Sequence, residues 1–125
     1  MRFGFDFSGT ISRNPQLFGT LTSSLISEGN EVFIFCVVSS KVKPANAVAQ
    51  IRKTKVPNTD IFILTWVDSE DEDGRLKLEM CEKLNIHAFF DDDKDVCSLL
   101  ALNGIQALNY YKFKPVAGRK IDVKG

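Results

Sequence analysis

Short, continuous apolar runs alternate along this chain with segments of helical periodicity. Arg2–Phe7, Val32–Val38 (VFIFCVV) and Ile61–Val67 (IFILTWV) are bounded by turn residues. The last two are rich in β-branched and aromatic side chains, and all three have the pattern of strands buried on both faces. Ala88-Phe89-Phe90, ending at Asp91, predicts a shorter fourth strand, and Ala107-Leu108 a weaker fifth. Asn14-Pro15 reads as a helix cap followed by proline at the first helical position. Leu17, Leu21 and Leu25 then recur every four residues until Gly29 closes the segment. Pro44 opens a second helix, predicted to carry Ala45, Val48, Ala49 and the Arg52 stem on its apolar side. A third spans Gly74–Leu84 with Leu76, Met80 and Leu84 on one stripe. A fourth spans Lys94–Asn103 with Val96, Leu99 and Leu100 inward and Gly104 as its stop.

This alternation predicts an α/β fold of three layers, a parallel sheet of about five strands with helices on both faces. A length of 125 residues fits one domain over residues 1–125, and 44% hydrophobic with 26% charged residues can bury a core. The zero net charge argues against general nucleic-acid binding, leaving two local basic segments, Lys41–Lys55 and the tail Lys112–Lys124. No apolar run approaches the roughly 20 residues that span a bilayer. Asp6 and Ser8-Gly9-Thr10 interrupt the first apolar stretch too early for a secretory leader. The expectation is a cytoplasmic protein without a membrane partner. Cys36, Cys81 and Cys97 lie far apart among apolar residues and form no C-x-x-C or Cys/His cluster, so they read as reduced core thiols.

In open parallel sheets ligands bind outside the carboxyl ends of the strands, so the strand exits carry the functional information. The first strand exits into Asp6-Phe7-Ser8-Gly9-Thr10-Ile11, which places a carboxylate and a glycine turn at the ligand edge. The same pattern suits an Asx turn. The second exits into Ser39-Ser40-Lys41, two hydroxyls and a cation that suit a phosphate but are also ordinary loop residues. The fourth exits into Asp91-Asp92-Asp93-Lys94-Asp95, whose clustered carboxylates repel unless a cation or solvent offsets them. A solvated helix N-terminus accounts for Asp93 and Asp95 but not for Asp91, which directly follows three apolar residues; hard divalent cations prefer such oxygen ligands.

Taken in order, these pieces resemble the haloacid dehalogenase-like superfamily over essentially the whole chain. Motif I of that family, D-x-D-G-T followed by an aliphatic residue, is matched by Asp6-Phe7-Ser8-Gly9-Thr10-Ile11. Motif II, a hydrophobic strand ending in Ser or Thr, is matched by Ser39. Motif III, a lysine ahead of a Leu-x-Ile helix end, is matched by Lys77 before Leu84-Asn85-Ile86, and motif IV, a strand ending in an acidic pair, by Asp91-Asp92. The resemblance implies a Rossmann-like sheet of order 3-2-1-4-5 without a cap domain. It implies Mg²⁺-dependent phosphohydrolase or phosphotransferase chemistry through an aspartyl phosphate on Asp6. Mg²⁺ would be held by Asp6, the Ser8 carbonyl and Asp91 or Asp92, the family pattern favouring Asp92. Ser39 and Lys77 would grip the phosphoryl oxygens, and Asp95 would support the metal ligands.

A bare site of this kind implies a phosphorylated small molecule or macromolecule as ligand, or a protein partner or second copy covering the site. The departure is Ser8, which stands where family phosphatases carry a general acid/base aspartate. Slow turnover is one consequence; a catalytically degenerate module that binds a phosphorylated ligand or a protein partner is the other. Three features read as bystanders: the acidic run Asp68–Asp73 as a solvated loop, His87 at the far end of the fourth strand, and Trp66 and Tyr110-Tyr111 as packing residues.

Overall fold

Helices cover both faces of a five-stranded sheet in the computed structural model of the chain, which describes residues 1–110. The strands are β1 (Arg2–Asp6), β2 (Glu31–Ser39), β3 (Asp60–Trp66), β4 (Ala88–Asp91) and β5 (Gln106–Asn109). The helices are α1 (Pro15–Ser27), α2 (Pro44–Lys53), α3 (Asp73–Leu84) and α4 (Lys94–Leu102). All strand pairs are parallel, as the alternation predicts, in the order β3-β2-β1-β4-β5 that the resemblance implies. The basic tail Lys112–Lys124 and Tyr111 lie outside the described residues.

Strand alternation explains the two cores. On one face Phe5, Val32, Ile34 and Cys36 pack with Phe18 of α1 and with Ala47 and Ile51 of α2. On the other, Phe33, Phe35 and Phe89 pack with Cys81 of α3 and with Val96 and Leu100 of α4. Phe5, Phe18, Phe35 and Phe89 are all essentially fully buried. Each contributes about 1.5–3 kcal/mol of transfer free energy. Gly4 of β1 leaves the space that Phe89 of β4 occupies, since a Cβ there would lie 2.4 Å from the Phe89 ring. Phe89 in turn packs edge-on against Phe35 at 5.1 Å.

The helices keep their expected boundaries to within a residue or two but differ in rotation. In α1, Leu17 is 48% exposed, while Phe18 and Thr22 are buried and Leu21 and Leu25 pack beside them. The inward stripe therefore has the i, i+3, i+4, i+7 spacing of a helix face rather than the strict four-residue repeat. The Thr22 hydroxyl donates to the Phe18 carbonyl at 2.7 Å, which lets a polar residue occupy the stripe. In α2 the buried residues are Ala47 and Ile51, because the helix turns its largest aliphatic side chain inward. Ala45, Val48, Ala49 and Arg52 instead line an open groove. In α3 the buried residues are Lys77 and Cys81, with Leu76, Met80 and Leu84 packed alongside.

Three further expectations are met. All three cysteines are buried and free. His87 sits at the opposite end of the sheet, where its Nδ1 accepts from the Arg2 amide at 2.9 Å. Tyr110 packs edge-on against Phe18 at 5.1 Å. No helix among the described residues is long and apolar enough to cross a membrane.

Candidate functional site

The strand order reverses at β1, which has β2 on one side and β4 on the other. Such a switch point opens a crevice at the carboxyl edge of the sheet. Register carries Asp6 and Asp91 there. Gly4 pairs with Phe89 and Phe5 with Phe90, so Asp6 and Asp91 follow on adjacent strands. Both share the sheet face of Gly4 and Phe89, the face on which α3 packs. Lys77 reaches them from α3, donating to Asp6 Oδ1 at 3.0 Å and to Asp91 Oδ2 at 2.7 Å. All three side chains are buried.

The surrounding backbone fixes this group. Asp91 Oδ1 accepts from the Asp93 amide at 2.9 Å, and the Asp91 carbonyl accepts from the Tyr110 amide at 2.8 Å and from Asn109 Nδ2 at 3.1 Å. Thr10, fully buried on the turn after β1, places its hydroxyl 3.4 Å from Asp6 Oδ2 and 3.3 Å from Asp92 Oδ1. A hydroxyl has one proton to give, so it serves these carboxylates alternately. The turn brings Asp92 in through Gly9, whose φ is +82° and whose Cβ, were one present, would lie 2.4 Å from Asp92 Oδ2. Only glycine combines that conformation with that approach.

Burial pushes the Asp6 carboxyl up to about 8, with Lys77 acting against it and the neighbouring Asp91 charge adding to it. Asp91 is raised for the same first reason, again opposed by Lys77. Burial acts to lower Lys77, but attraction to Asp6 and Asp91 outweighs it, so the side chain stays an ammonium well above its ordinary range. The same contacts therefore raise the lysine without lowering the acids, because one cation serves two buried carboxylates that also repel each other. Carboxylate oxygens of Asp6, Asp91 and Asp92 all lie within 4.8 Å of one another. An all-oxygen donor set with more negative charge than Lys77 offsets is the chemistry that a hard divalent cation fits.

These residues border a cavity of about 160 Å³, which Ser8, Val37, Asp73 and Asp93 also line. That is the share of about five liquid waters, well below the 300–1,000 Å³ typical of a pocket enclosing a whole small molecule. A second, larger cavity of about 540 Å³ adjoins it, sharing Asp73 and Asp93 as walls and bordered further out by Glu70, Arg75 and Asp95.

Six of the residues singled out from sequence thus meet a mixed outcome. Asp6, Ser8, Lys77, Asp91 and Asp92 converge on one cavity. Ser39 does not line it. β2 overruns β1, whose last residue Asp6 is level with Phe35, so the β2 side chain facing the cavity is Val37. The Ser39 hydroxyl accepts instead from the Lys41 amide at 3.2 Å. Asp95 lies in the first turn of α4 at the outer cavity, exposed, and its amide donates to Asp93 Oδ1 at 2.8 Å. Ser8 is exposed, and its side chain counters the burial that pushes the Cys36 thiol up.

Two residues at the site carry no role in the sequence reading. Thr10 was visible in the motif but not its double contact. Asp73 was placed in a solvated acidic loop; instead Glu70–Glu72 form a 3-10 turn and Asp73 begins α3 inside the cavity wall. Its position four residues before Lys77, one helical turn, was the available signal. No protein-family model matches the chain, and no curated protein matches it in sequence.

Proposed function

We propose that this chain is a Mg²⁺-dependent phosphohydrolase or phosphotransferase of the haloacid dehalogenase-like type, working through an aspartyl phosphate on Asp6. The observation that supports this most is the convergence of the Asp6, Asp91 and Asp92 carboxylates with buried Lys77 at a sheet switch point. In this reading Asp6, Asp92 and the Ser8 carbonyl hold the ion, with Asp91 beside them. The ion would neutralise charge between the attacking carboxylate and the phosphoryl group. Lys77 orients the Asp6 carboxylate and draws developing charge off the transferring oxygens. Asp6 attacks phosphorus, the ester oxygen leaves, and water later cleaves the acyl phosphate. Thr10 holds Asp6 and Asp92 in register.

Ser8 is the weak point, since a serine hydroxyl does not exchange its proton in the role of a general acid. Losing a positioned acid costs about 10²–10⁴-fold in rate. A catalytically degenerate module that binds a phosphorylated ligand is the reading favoured by this one residue. The test is turnover of an aryl phosphate with magnesium by wild type, Asp6→Asn and Ser8→Asp. Asp6→Asn is expected to be inactive, and Ser8→Asp to exceed wild type only as far as no other residue supplies the acid. Turnover unaffected by Asp6→Asn refutes the nucleophile. Magnesium-dependent beryllofluoride binding without turnover supports the binding module.

A further inference from the structure

The small cavity is lined by five carboxylates, and four are engaged. Asp6 and Asp91 accept from Lys77, Asp92 lies against the Thr10 hydroxyl, and Asp93 caps α4 by accepting from the Asp95 and Val96 amides. The fifth, Asp73, has no hydrogen bond or ion pair to its carboxylate among the described residues. It is half-buried at the start of α3, one turn before Lys77. It is also one of the two residues that wall both cavities. The inner cavity has room for a phosphoryl group, and the rest of a substrate must lie beyond it. The bond that breaks joins those two parts, so the ester oxygen passes the shared wall.

We propose that Asp73 is the general acid and base of this site, doing from α3 what Ser8 cannot do from the turn after β1. The assignment rests on the phosphoryl-transfer reading given above. In the first step an Asp6 oxygen bonds to phosphorus, the phosphorus–ester oxygen bond breaks, and the leaving oxygen takes the proton of the Asp73 carboxyl. In the second step the Asp73 carboxylate takes a proton from water as the water oxygen bonds to phosphorus. The phosphorus–Asp6 bond then breaks, returning the Asp6 carboxylate, inorganic phosphate and a protonated Asp73. The sum is one ester and one water converted to one alcohol and one phosphate.

Local electrostatics suit the role. Burial raises the Asp73 carboxyl, Lys77 acts against that, and Asp91, Asp93 and Glu70 add to it. A carboxyl raised above its ordinary range is better matched to proton exchange near neutral pH. The alternative is that Asp73 is only a favourable anion in the first turn of α3. The two differ in what a shape-conserving substitution does.

The experiment compares wild type, Asp6→Asn, Asp73→Asn and Asp73→Asn/Ser8→Asp on p-nitrophenyl phosphate and an alkyl phosphate with magnesium. Asp73→Asn is expected to lose about 10²–10⁴-fold in kcat on the alkyl ester. On the nitrophenyl ester, whose leaving group needs no acid, it releases about one nitrophenolate per enzyme in a burst and then turns over slowly. Ser8→Asp in the same chain, restoring an acid on the turn after β1, recovers turnover, which repair of a helix terminus would not do. Asp6-dependent turnover that stays within about threefold of wild type in Asp73→Asn overturns the role of Asp73 alone. A large loss without either the burst or the rescue also overturns it. A wild type with no Asp6-dependent turnover overturns the phosphoryl-transfer reading, and the assignment of Asp73 with it.

Discussion

Replacing Lys77 by Met removes the one ammonium that, among the described residues, contacts Asp6 and Asp91, while keeping a side chain of similar length. Lys77 is 3% exposed and its two carboxylate partners are 4% and 0% exposed, so water cannot take its place freely. Breaking a buried ion pair by removing one partner costs about 3–5 kcal/mol, because the remaining charge is left uncompensated. Here two like charges remain, and they respond by taking up protons. Asp6 is already pushed up to about 8 by burial with Lys77 present. Without Lys77 both acids rise further above their unfolded values.

A carboxyl whose folded pKa lies above its unfolded one favours the folded state least once pH exceeds the folded value. It regains stability as pH falls toward the unfolded value near 4. Asp6 already holds its proton below about 8 in wild type, so its part of the Lys77→Met deficit opens above that value, and the deficit is expected to be largest near about pH 9.5 and to shrink toward about pH 7. For a chain of this size 3–5 kcal/mol corresponds to a melting point lower by roughly 10–20 °C. Urea unfolding and thermal melts followed by circular dichroism at the two pH values measure both quantities. Adding Asp6→Asn to Lys77→Met, which removes one orphaned charge, recovers part of the loss. A deficit under about 1 kcal/mol near about pH 9.5, or one equal at both pH values, would refute this account of the buried triad.

Gly9→Ala forces a side chain onto a φ of +82° and into the Asp92 carboxylate. It should cost about 1–2 kcal/mol in urea and weaken magnesium binding in a calorimetric titration; unchanged magnesium affinity would count against Asp92 as a ligand. Gly4→Ala drives a Cβ to 2.4 Å from the boxed Phe89 ring, an overpacking expected to cost about 1–3 kcal/mol in the same unfolding assay. The three thiols are buried and pushed up by that burial, Cys81 to about 12. They should react slowly with a disulfide reagent near neutral pH in the folded protein and rapidly in denaturant, whereas fast native labelling would show that the core opens.

Strand and helix positions were legible because they depend on apolar runs and on local cap residues such as Pro15, Pro44 and Asn14. Helix rotation was not, because it depends on partners distant in sequence. α3 turns Lys77 inward only because Asp6 and Asp91 meet it there, 71 and 14 residues away. The exit carboxylates were legible for the same reason as the strands they end, since a polar residue closing a buried run marks the sheet edge. Ser39 was misplaced relative to the cavity because the overrun of β2 past β1 is a matter of register, which no spacing within β2 encodes. Asp73 was hidden by its neighbours: in a run of acids, only the turn of helix connecting it to Lys77 distinguishes it from the solvated ones.

The vacancy at Gly4 bears on how a site like this persists. Asp6 and Asp91 stand two residues beyond Gly4 and Phe89 on the same face of adjacent strands, and mutual repulsion would part them. What resists is hydrocarbon, a phenyl ring lying where one strand has no side chain, so that the two backbones and the ring form one rigid unit below the acids. Mutational drift in this chain should therefore be restricted also at a position with no chemistry at all. A search for variants that alter the site's metal spacing would do better to begin beneath the carboxylates than among them.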